Sequence, residues 1–197
     1  MGQDHDNGYK DIFSHPEIVR DLLVGFVTGN WTDEVDLTTL ERVNASFVLG
    51  PQARHGDMVW KARLKKNGLE LYILLEFQSR PDRWIALRML VYVGMLKQTL
   101  IKNGALSRPY RLPPVLPIVL YNGARRWDAA ADLSQLIEPV PQWLDRWQPR
   151  QRYYLIDERA LAVDGSGDRG NLVAALFQME RARTPEDLRR VVYRLKV

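Results

Sequence analysis

Three polar side chains at the ends of two strand-like segments have residue types that could act together in chemistry. Asp57 opens the segment 57–64, and Glu76 and Gln78 lie at the end of the segment 69–78. Two carboxylates and an amide oxygen form a hard-oxygen ligand set suited to Mg²⁺ or Mn²⁺, with water and substrate phosphates completing the shell. A metal ion held there lowers the pKa of a bound water and offsets charge on a phosphorane-like transition state. These residue types therefore point to hydrolysis of a phosphodiester.

A tight turn is predicted to bring the three side chains together. Residues 66–69 read Lys-Asn-Gly-Leu, which is typical of a two-residue type I′ hairpin loop. In that register Val59 pairs with Glu76, and Asp57 pairs with Gln78. Asp57 and Glu76 then lie diagonally on one face with their Cβ atoms ~7 Å apart, near enough to share a cation. The other face of the predicted hairpin is wholly apolar.

The same acidic residues also have an ordinary structural explanation. Carboxylates at strand ends are commonly solvated or salt-bridged, and spacing alone does not separate that reading from a metal site. The segment 71–75 is strongly apolar, however, so Glu76 follows a strand that is expected to be buried. A carboxylate in that position needs a partner that offsets its loss of hydration. Both interpretations stay open from the spacing.

Composition narrows both the class of protein and the ligands available to a metal. The chain has 197 residues, 46% of them hydrophobic, and a formal net charge of +4, which predicts one compact globular domain, with room for a short appendage. The lack of cysteine excludes disulfides, thiolate zinc sites, iron–sulfur clusters and a thiol nucleophile. The three histidines lack the i, i+4 spacing of a helical zinc site. Any metal is therefore expected to have oxygen ligands.

The ends of the chain and its apolar stretches bear on location. Residues 1–9 are polar and acidic, and the longest apolar stretch, 84–101, contains Arg88 and Lys97. Neither is typical of a secretory signal or a membrane span. We therefore expect a cytoplasmic protein with no membrane partner and no small-molecule cofactor. The last predicted helix reaches Val197 without a C-terminal signal, so we expect the chain to be truncated there.

Hydrophobic periodicity and capping signals predict the remaining elements. Their order is that of a mixed sheet with helices on both faces. The predicted elements are a helix with a capping box at 14–17 that ends near 29, strands at 42–49, 57–64 and 69–78, a helix from 81–82 to about 102, strands at 115–121 and 153–156, a helix at 171–181, and a last helix capped at 184–187.

Several short motifs, in this order and spacing, resemble the PD-(D/E)XK nuclease superfamily. More closely, they resemble the Rpn family of recombination-promoting nucleases, which are also described as transposases. The resemblance covers residues 4–157. It is carried by His-Asp-Asn-Gly-Tyr-Lys at 5–10, Phe-Ser-His-Pro-Glu at 13–17, Asp-Met-Val at 57–59, Leu-Glu-Phe-Gln-Ser at 75–79, Ala-Leu-Arg-Met-Leu-Val-Tyr at 86–92 and Leu-Pro-Ile-Val-Leu-Tyr-Asn-Gly at 116–123.

The resemblance implies both a fold and an activity. It implies an α/β fold with an αβββαβ core, as a nuclease domain over residues 1–160 and a C-terminal helical extension over 161–197. It implies a DNA endonuclease that uses Mg²⁺, with Mn²⁺ or Ca²⁺ as further candidates, and whose partner is DNA. A homodimer is compatible with it.

The resemblance also implies roles for individual residues at the site. Asp57 and Glu76 match the metal-binding residues of the family, and Glu17 matches an acidic residue that the superfamily often has near the metal. Gln78 occupies the position of the superfamily's lysine. Glutamine orients a water but supplies no positive charge, so Lys61 or Lys10 is expected to supply it. Lys61 as a solvated strand residue and Glu17 as a helix-capping residue remain alternatives.

Nucleic-acid contacts are implied for three further residues. Arg88 and Tyr92 resemble a helix motif of the related RecB-like branch, which implies contact with the site or with nucleic acid. Arg54 precedes Asp57 closely enough to approach a phosphate. For Arg88 an ion pair within the core is the alternative, because a buried guanidinium must find an anion.

Two other functions remain alternatives at this point. A nucleic-acid-binding or protein-binding module could keep the same fold without turnover, and the missing lysine favours it. An RNase H-like transposase would need a third carboxylate far downstream, for which Asp157 and Asp164 are the candidates.

Overall fold

The computed structural model describes residues 8–9, 11–44, 58–106, 111–160 and 170–195 of the chain. Five residues with predicted roles lie outside these ranges, and so does most of the strand predicted at 42–49. The five residues are Lys10, Arg54, Asp57, Asp164 and Val197.

The described strands form one mixed five-stranded sheet, which confirms the predicted α/β class. Strands β1, β2 and β3 are antiparallel, whereas β3, β4 and β5 are parallel. The sheet order equals the chain order. Because β3, β4 and β5 run in the same direction, their C-terminal ends meet at one side of the sheet, which we call the carboxyl edge. The strands are β1 Val35–Val43, β2 Met58–Leu64, β3 Glu70–Gln78, β4 Val115–Tyr121 and β5 Tyr154–Asp157.

Helices cover both faces of the sheet, as predicted. One face packs against α1 and α4 through residues such as Leu22, Trp60 and Phe177, and the other packs against α2 through Leu74 and Met89. Among the described residues, no helix combines the length and the apolar character needed to cross a bilayer. The helices are α1 Pro16–Phe26, α2 Ile85–Lys102, α3 Gln142–Asp145, α4 Leu172–Arg181 and α5 Pro185–Leu195, with 3-10 turns at Asn30–Asp33 and Leu133–Leu136.

The hairpin between β2 and β3 has a longer loop than predicted. The Leu64 N–H donates to the Leu69 carbonyl at 2.8 Å, and the Gly68 N–H donates to the Leu64 carbonyl at 2.8 Å. The loop is therefore residues 65–68, closed by Gly68 in the left-handed region at φ 66°. Met58 consequently pairs with Leu75 and not with Phe77. This shift by two residues keeps every side chain on its predicted face but slides the two strands past each other.

The start of α1 also differs from the prediction. His15 is the N-cap residue and makes no side-chain cap, while the Ser14 hydroxyl donates to the Asp11 carbonyl at 2.6 Å. The predicted capping box is therefore wrong, because Ser14 takes part in the preceding turn. The helix ends at Phe26, before Gly29.

The first strand begins earlier than predicted, at Val35. The C-terminal helices follow the sequence signals closely. Asn171 caps α4 by accepting from the Ala174 N–H at 2.9 Å. Thr184 and Asp187 cap α5 reciprocally, since each side chain accepts from the backbone N–H of the other.

Candidate active site

Glu76 is a buried carboxylate on the central strand of the sheet. It pairs with Val119 of β4 and is only 2% exposed. Alternate side chains of β3 face the same side, and Leu74 packs in the core on the α2 side. The Glu76 side chain therefore points toward α2. A carboxylate this far from water needs compensating hydrogen bonds or charge.

Two donors converge on one oxygen of Glu76. Arg88 Nη2 lies 2.5 Å and Gln78 Nε2 lies 2.6 Å from Glu76 Oε1. The Arg88 side chain is itself only 11% exposed, so the two charges are held out of water together. The Arg88 Nη1 also donates to the Asp82 carboxylate. One guanidinium thus lies between two carboxylates, and we call these four side chains the Glu76 cluster.

Asp82 links the Glu76 cluster to the start of α2. Its Oδ1 accepts from the Trp84 N–H at 2.9 Å, and its backbone carbonyl accepts from the Ile85 N–H at 3.1 Å. The same carboxylate therefore stabilises the turn that precedes α2 and contacts Arg88 in the first turn of the helix. Asp82 was expected only as a helix-start residue. An acid at the start of a helix with a buried arginine six positions later is the signal that could have revealed the pair.

The structure places Lys61 away from Glu76. The observed register pairs Lys61 with Tyr72, four residues from Glu76 along β3, which corresponds to ~13 Å. Its Nζ lies 3.3 Å from Glu70 Oε1 and 3.4 Å from Glu41 Oε2. The predicted register had set Lys61 only two residues from Glu76, so the longer loop accounts for the separation. The shared face was predicted correctly.

Glu17 and Tyr92 occupy different surroundings. Glu17 is exposed in the first turn of α1. Tyr92 lies one helical turn after Arg88 and is 3% exposed, in the core between α2 and the sheet. Two of the residues predicted to contact nucleic acid therefore lie in different places. Arg88 contacts Glu76, whereas Tyr92 is buried in the core one helical turn further along α2.

A second group of carboxyl side chains lies at the carboxyl edge, on the α1 side of the sheet. Glu158 follows β5 and is 4% exposed. The Tyr9 hydroxyl lies 3.0 Å from Glu158 Oε2 and 2.6 Å from Glu180 Oε2. We call these three side chains the Glu158 cluster. The spacing of the sequence does not reveal it, because its members are separated by 149 and 171 positions.

The contacts and burial of the Glu158 cluster favour an extra proton among its carboxyl groups. A single phenol proton serves only one of the two carboxyl contacts, so the other contact needs a proton from a carboxyl group. Burial, and then the charge and hydrogen bond of Glu180, raise the pKa of Glu158 to about 8. Burial and the hydrogen bond to Glu180 also raise the pKa of Tyr9 well above its usual range. A pKa of about 8 keeps Glu158 mostly protonated at neutral pH.

The Glu76 cluster has donor chemistry that suits a hard cation. Mg²⁺ takes one or two protein carboxylates and keeps several waters, so Glu76 fits as one ligand. The part of the chain that the structure describes contains no group of three His, Asp or Glu side chains arranged to hold a metal ion. The guanidinium of Arg88 is a second cation on the same carboxylate, which a metal ion would have to share.

Comparison with known proteins identifies relatives over most of the chain. The sequence profile of the family described as "Putative transposase, YhgA-like" matches residues 3–196. Recombination-promoting nuclease RpnD of Escherichia coli O157:H7 is 31% identical over 122 residues, which cover 61% of this chain and 46% of RpnD. RpnC of Escherichia coli strain K12 is 29% identical over 121 residues, or 60% of this chain and 39% of RpnC.

A further relative is named as an inactive protein. RpnE of Escherichia coli strain K12, named an inactive recombination-promoting nuclease-like protein, is 26% identical over 165 residues, covering 81% of this chain and 50% of RpnE. The chain thus spans half or less of the length of these three relatives. No solved structure matches it. Because the family match covers nearly every residue, the chain belongs to the YhgA-like transposase family and, as predicted, is related to the Rpn recombination-promoting nucleases.

Proposed function

We propose that this protein is a metal-dependent DNA endonuclease that hydrolyses phosphodiester bonds. The observation that carries the proposal is Glu76, a buried carboxylate at the carboxyl edge that accepts a hydrogen bond from the Arg88 guanidinium. Such a group is costly to bury and contributes little to stability, so a chemical role explains its presence. The names of the relatives RpnD and RpnC support the reaction class.

The proposed roles follow from the donors that each residue offers. Glu76 and Asp57 would hold Mg²⁺, with Mn²⁺ or Ca²⁺ as substitutes, and the ion would supply an activated water and charge neutralisation. The amide nitrogen of Gln78 donates to Glu76, which leaves its carbonyl oxygen to orient the attacking water. Arg88 keeps Glu76 ionised, because its charge favours the carboxylate over the acid. Lys10 remains the candidate for a cation near the developing charge.

Nicking of supercoiled plasmid DNA with added Mg²⁺ or Mn²⁺ tests the proposal. We expect Glu76→Gln and Asp57→Ala each to lower the cleavage rate at least about a hundredfold, since each removes charge from the site. Glu70→Gln is the matched control. Glu70 lies on the same face of β3 as Glu76, but its carboxylate forms a salt bridge with Lys61. We expect that variant to cleave like the wild type. Cleavage by Glu76→Gln at the wild-type rate would show that the proposal is wrong.

A second function is favoured by the contacts of Glu76 itself. Its Oε1 already accepts from a guanidinium and an amide, and the relative RpnE is named inactive. These observations support a nucleic-acid-binding or protein-binding module without turnover. Titration with Mn²⁺ in a calorimeter separates the two functions. Metal binding that is lost in Glu76→Gln supports the endonuclease, and DNA binding without metal binding or cleavage supports the module.

A further inference from the structure

Exposed arginines are concentrated in the loops of the carboxyl edge. Each of the parallel strands β3, β4 and β5 is followed by a loop that carries at least one of them. Within the described ranges, none of these side chains forms a salt bridge, and the Asp82 carboxylate nearby is already engaged by Arg88. The acidic side chains of Asp128 and Asp157 lie at the same edge, and the five exposed arginines outnumber them, so the edge that holds the Glu76 cluster has a surplus of positive charge. The arginines are Arg80, Arg83, Arg125, Arg126 and Arg159.

Trp84 lies within this charged edge and is unusually exposed. Its side chain is 53% exposed, although burial of an indole would be favourable. The Arg83 guanidinium lies 5.1 Å from the centroid of the ring. This cation–π contact covers part of the ring, and the exposed fraction leaves surface for a second planar partner.

An unbroken series of hydrogen bonds connects the backbone of Trp84 to Glu76. The Trp84 N–H donates to Asp82 Oδ1 at 2.9 Å, the other oxygen of Asp82 accepts from Arg88, and Arg88 donates to Glu76 at 2.5 Å. The backbone that carries the indole is therefore tied to the candidate metal ligand. A group stacked on Trp84 would lie beside the residues of the Glu76 cluster.

We propose that Trp84 is a stacking platform for an unpaired base of single-stranded DNA, whose phosphates are bound by the arginines of the carboxyl edge. The proposal rests on the proposed function and adds the strand form of the substrate. Aromatic rings bind bases by stacking without preference for sequence, but only where the face of the base is not already stacked in a duplex. Arginines on neighbouring loops supply the charge that attracts the phosphate backbone.

The chain supplies a matched control for Trp84. Trp147 is 68% exposed, and the Arg146 guanidinium lies 5.2 Å from the centroid of its ring. It has the same chemistry, but it lies late in the connection from β4 to β5, seven residues before β5 begins at the opposite edge of the sheet. If the position of the tryptophan matters for DNA binding, substitution of Trp84 must therefore reduce the affinity and substitution of Trp147 must not.

Fluorescence anisotropy with a labelled oligothymidylate tests the proposal in EDTA, where metal-dependent cleavage is absent. We expect Trp84→Ala to weaken single-strand binding about tenfold, and Trp84→Phe to restore most of the affinity. Trp147→Ala should bind like the wild type, and affinity for a labelled duplex should change less in every variant. Wild-type affinity in Trp84→Ala, or an equal loss in Trp147→Ala, would overturn the proposal.

A second copy of the chain, in place of DNA, is the competing partner for the exposed Trp84 ring. Trp84, Leu87 and Val91 are exposed on one face of α2, so a dimer could bury all three. Sedimentation velocity of the wild type and Trp84→Ala distinguishes the two: dissociation without loss of DNA affinity overturns stacking. The proposed function fails separately, through cleavage that survives in Glu76→Gln. Loss of affinity in Trp84→Ala together with such cleavage would leave stacking intact and the metal site disproved.

Discussion

Glu76 and Glu158 are both buried carboxyl groups at the same edge of the sheet, yet the structure neutralises them in opposite ways. Glu76 is 2% exposed and faces α2, where the guanidinium of Arg88 balances its charge. Glu158 is 4% exposed on the α1 side, where its partners are the hydroxyl of Tyr9 and a second carboxyl group, Glu180. The first is balanced by a cation and the second by a proton.

The difference shows which group is available for chemistry at neutral pH. A carboxylate paired with arginine keeps its negative charge, and with it the ability to bind a metal ion. A carboxyl group with its pKa raised to about 8 is mostly protonated at neutral pH and acts as a hydrogen-bond donor. Burial alone therefore does not indicate a catalytic carboxylate, because the charge of the neighbouring groups decides its state.

Removal of the cation from Glu76 should have the largest effect on stability. Arg88→Met leaves a 2% exposed carboxylate without its guanidinium and should lower the free energy of unfolding by about 3–5 kcal/mol. Lys61→Met is the control, because its partners Glu41 and Glu70 are more exposed and its loss should cost less than about 1 kcal/mol. Urea unfolding at pH 7 measures both. Equal costs for the two variants would show that Arg88 does not balance a buried charge.

The proton on Glu158 should appear as pH dependence of stability. The folded state keeps this proton up to about pH 8, whereas the unfolded carboxyl group loses it near pH 4.5. Stability from this group is therefore complete below about pH 4.5 and is lost as the pH rises toward 8. As the pH rises from 5 to 8, the free energy of unfolding of Glu158→Gln should therefore increase by about 2 kcal/mol relative to that of the wild type. This figure includes a reduction for solvent screening.

Thermal or urea unfolding across this pH range measures the gain of Glu158→Gln. The control is Glu138→Gln, which alters an exposed carboxylate and should follow the wild type at every pH. A difference between Glu158→Gln and the wild type that does not change with pH would mean that Glu158 carries no extra proton.

Loss of the Tyr9 hydroxyl should have the smallest effect. Tyr9→Phe removes the contact with Glu180 and the hydrogen bond to Glu158, and should cost about 1 kcal/mol at pH 5. The cost should be greater at pH 8, because that hydrogen bond stabilises the ionised carboxylate. Tyr154→Phe provides a comparison, since its hydroxyl donates to the Phe26 carbonyl and involves no carboxyl group. If the stability cost of Tyr9→Phe were as independent of pH as that of Tyr154→Phe, the Tyr9 hydroxyl would not affect the ionisation of Glu158.

Local patterns in the sequence determined several features of the fold. The alternation of side chains along a strand assigned Glu76, Gln78 and Lys61 to one face, because that period holds in any register. The apolar run before Glu76 predicted a buried carboxylate in need of a partner. Capping and periodicity located α2, α4 and α5 to within a few residues.

Only the tertiary structure decided how the carboxyl groups are balanced. The register depended on whether Asn67-Gly68 closed a two-residue or a four-residue loop, and both loops suit the same residue types. The register in turn moved Lys61 away from Glu76. The contact of Arg88 with Glu76 joins a strand to a helix, and that of Tyr9 with Glu158 joins distant parts of the chain. Such contacts carry no local signal, because they form only when separate elements pack together.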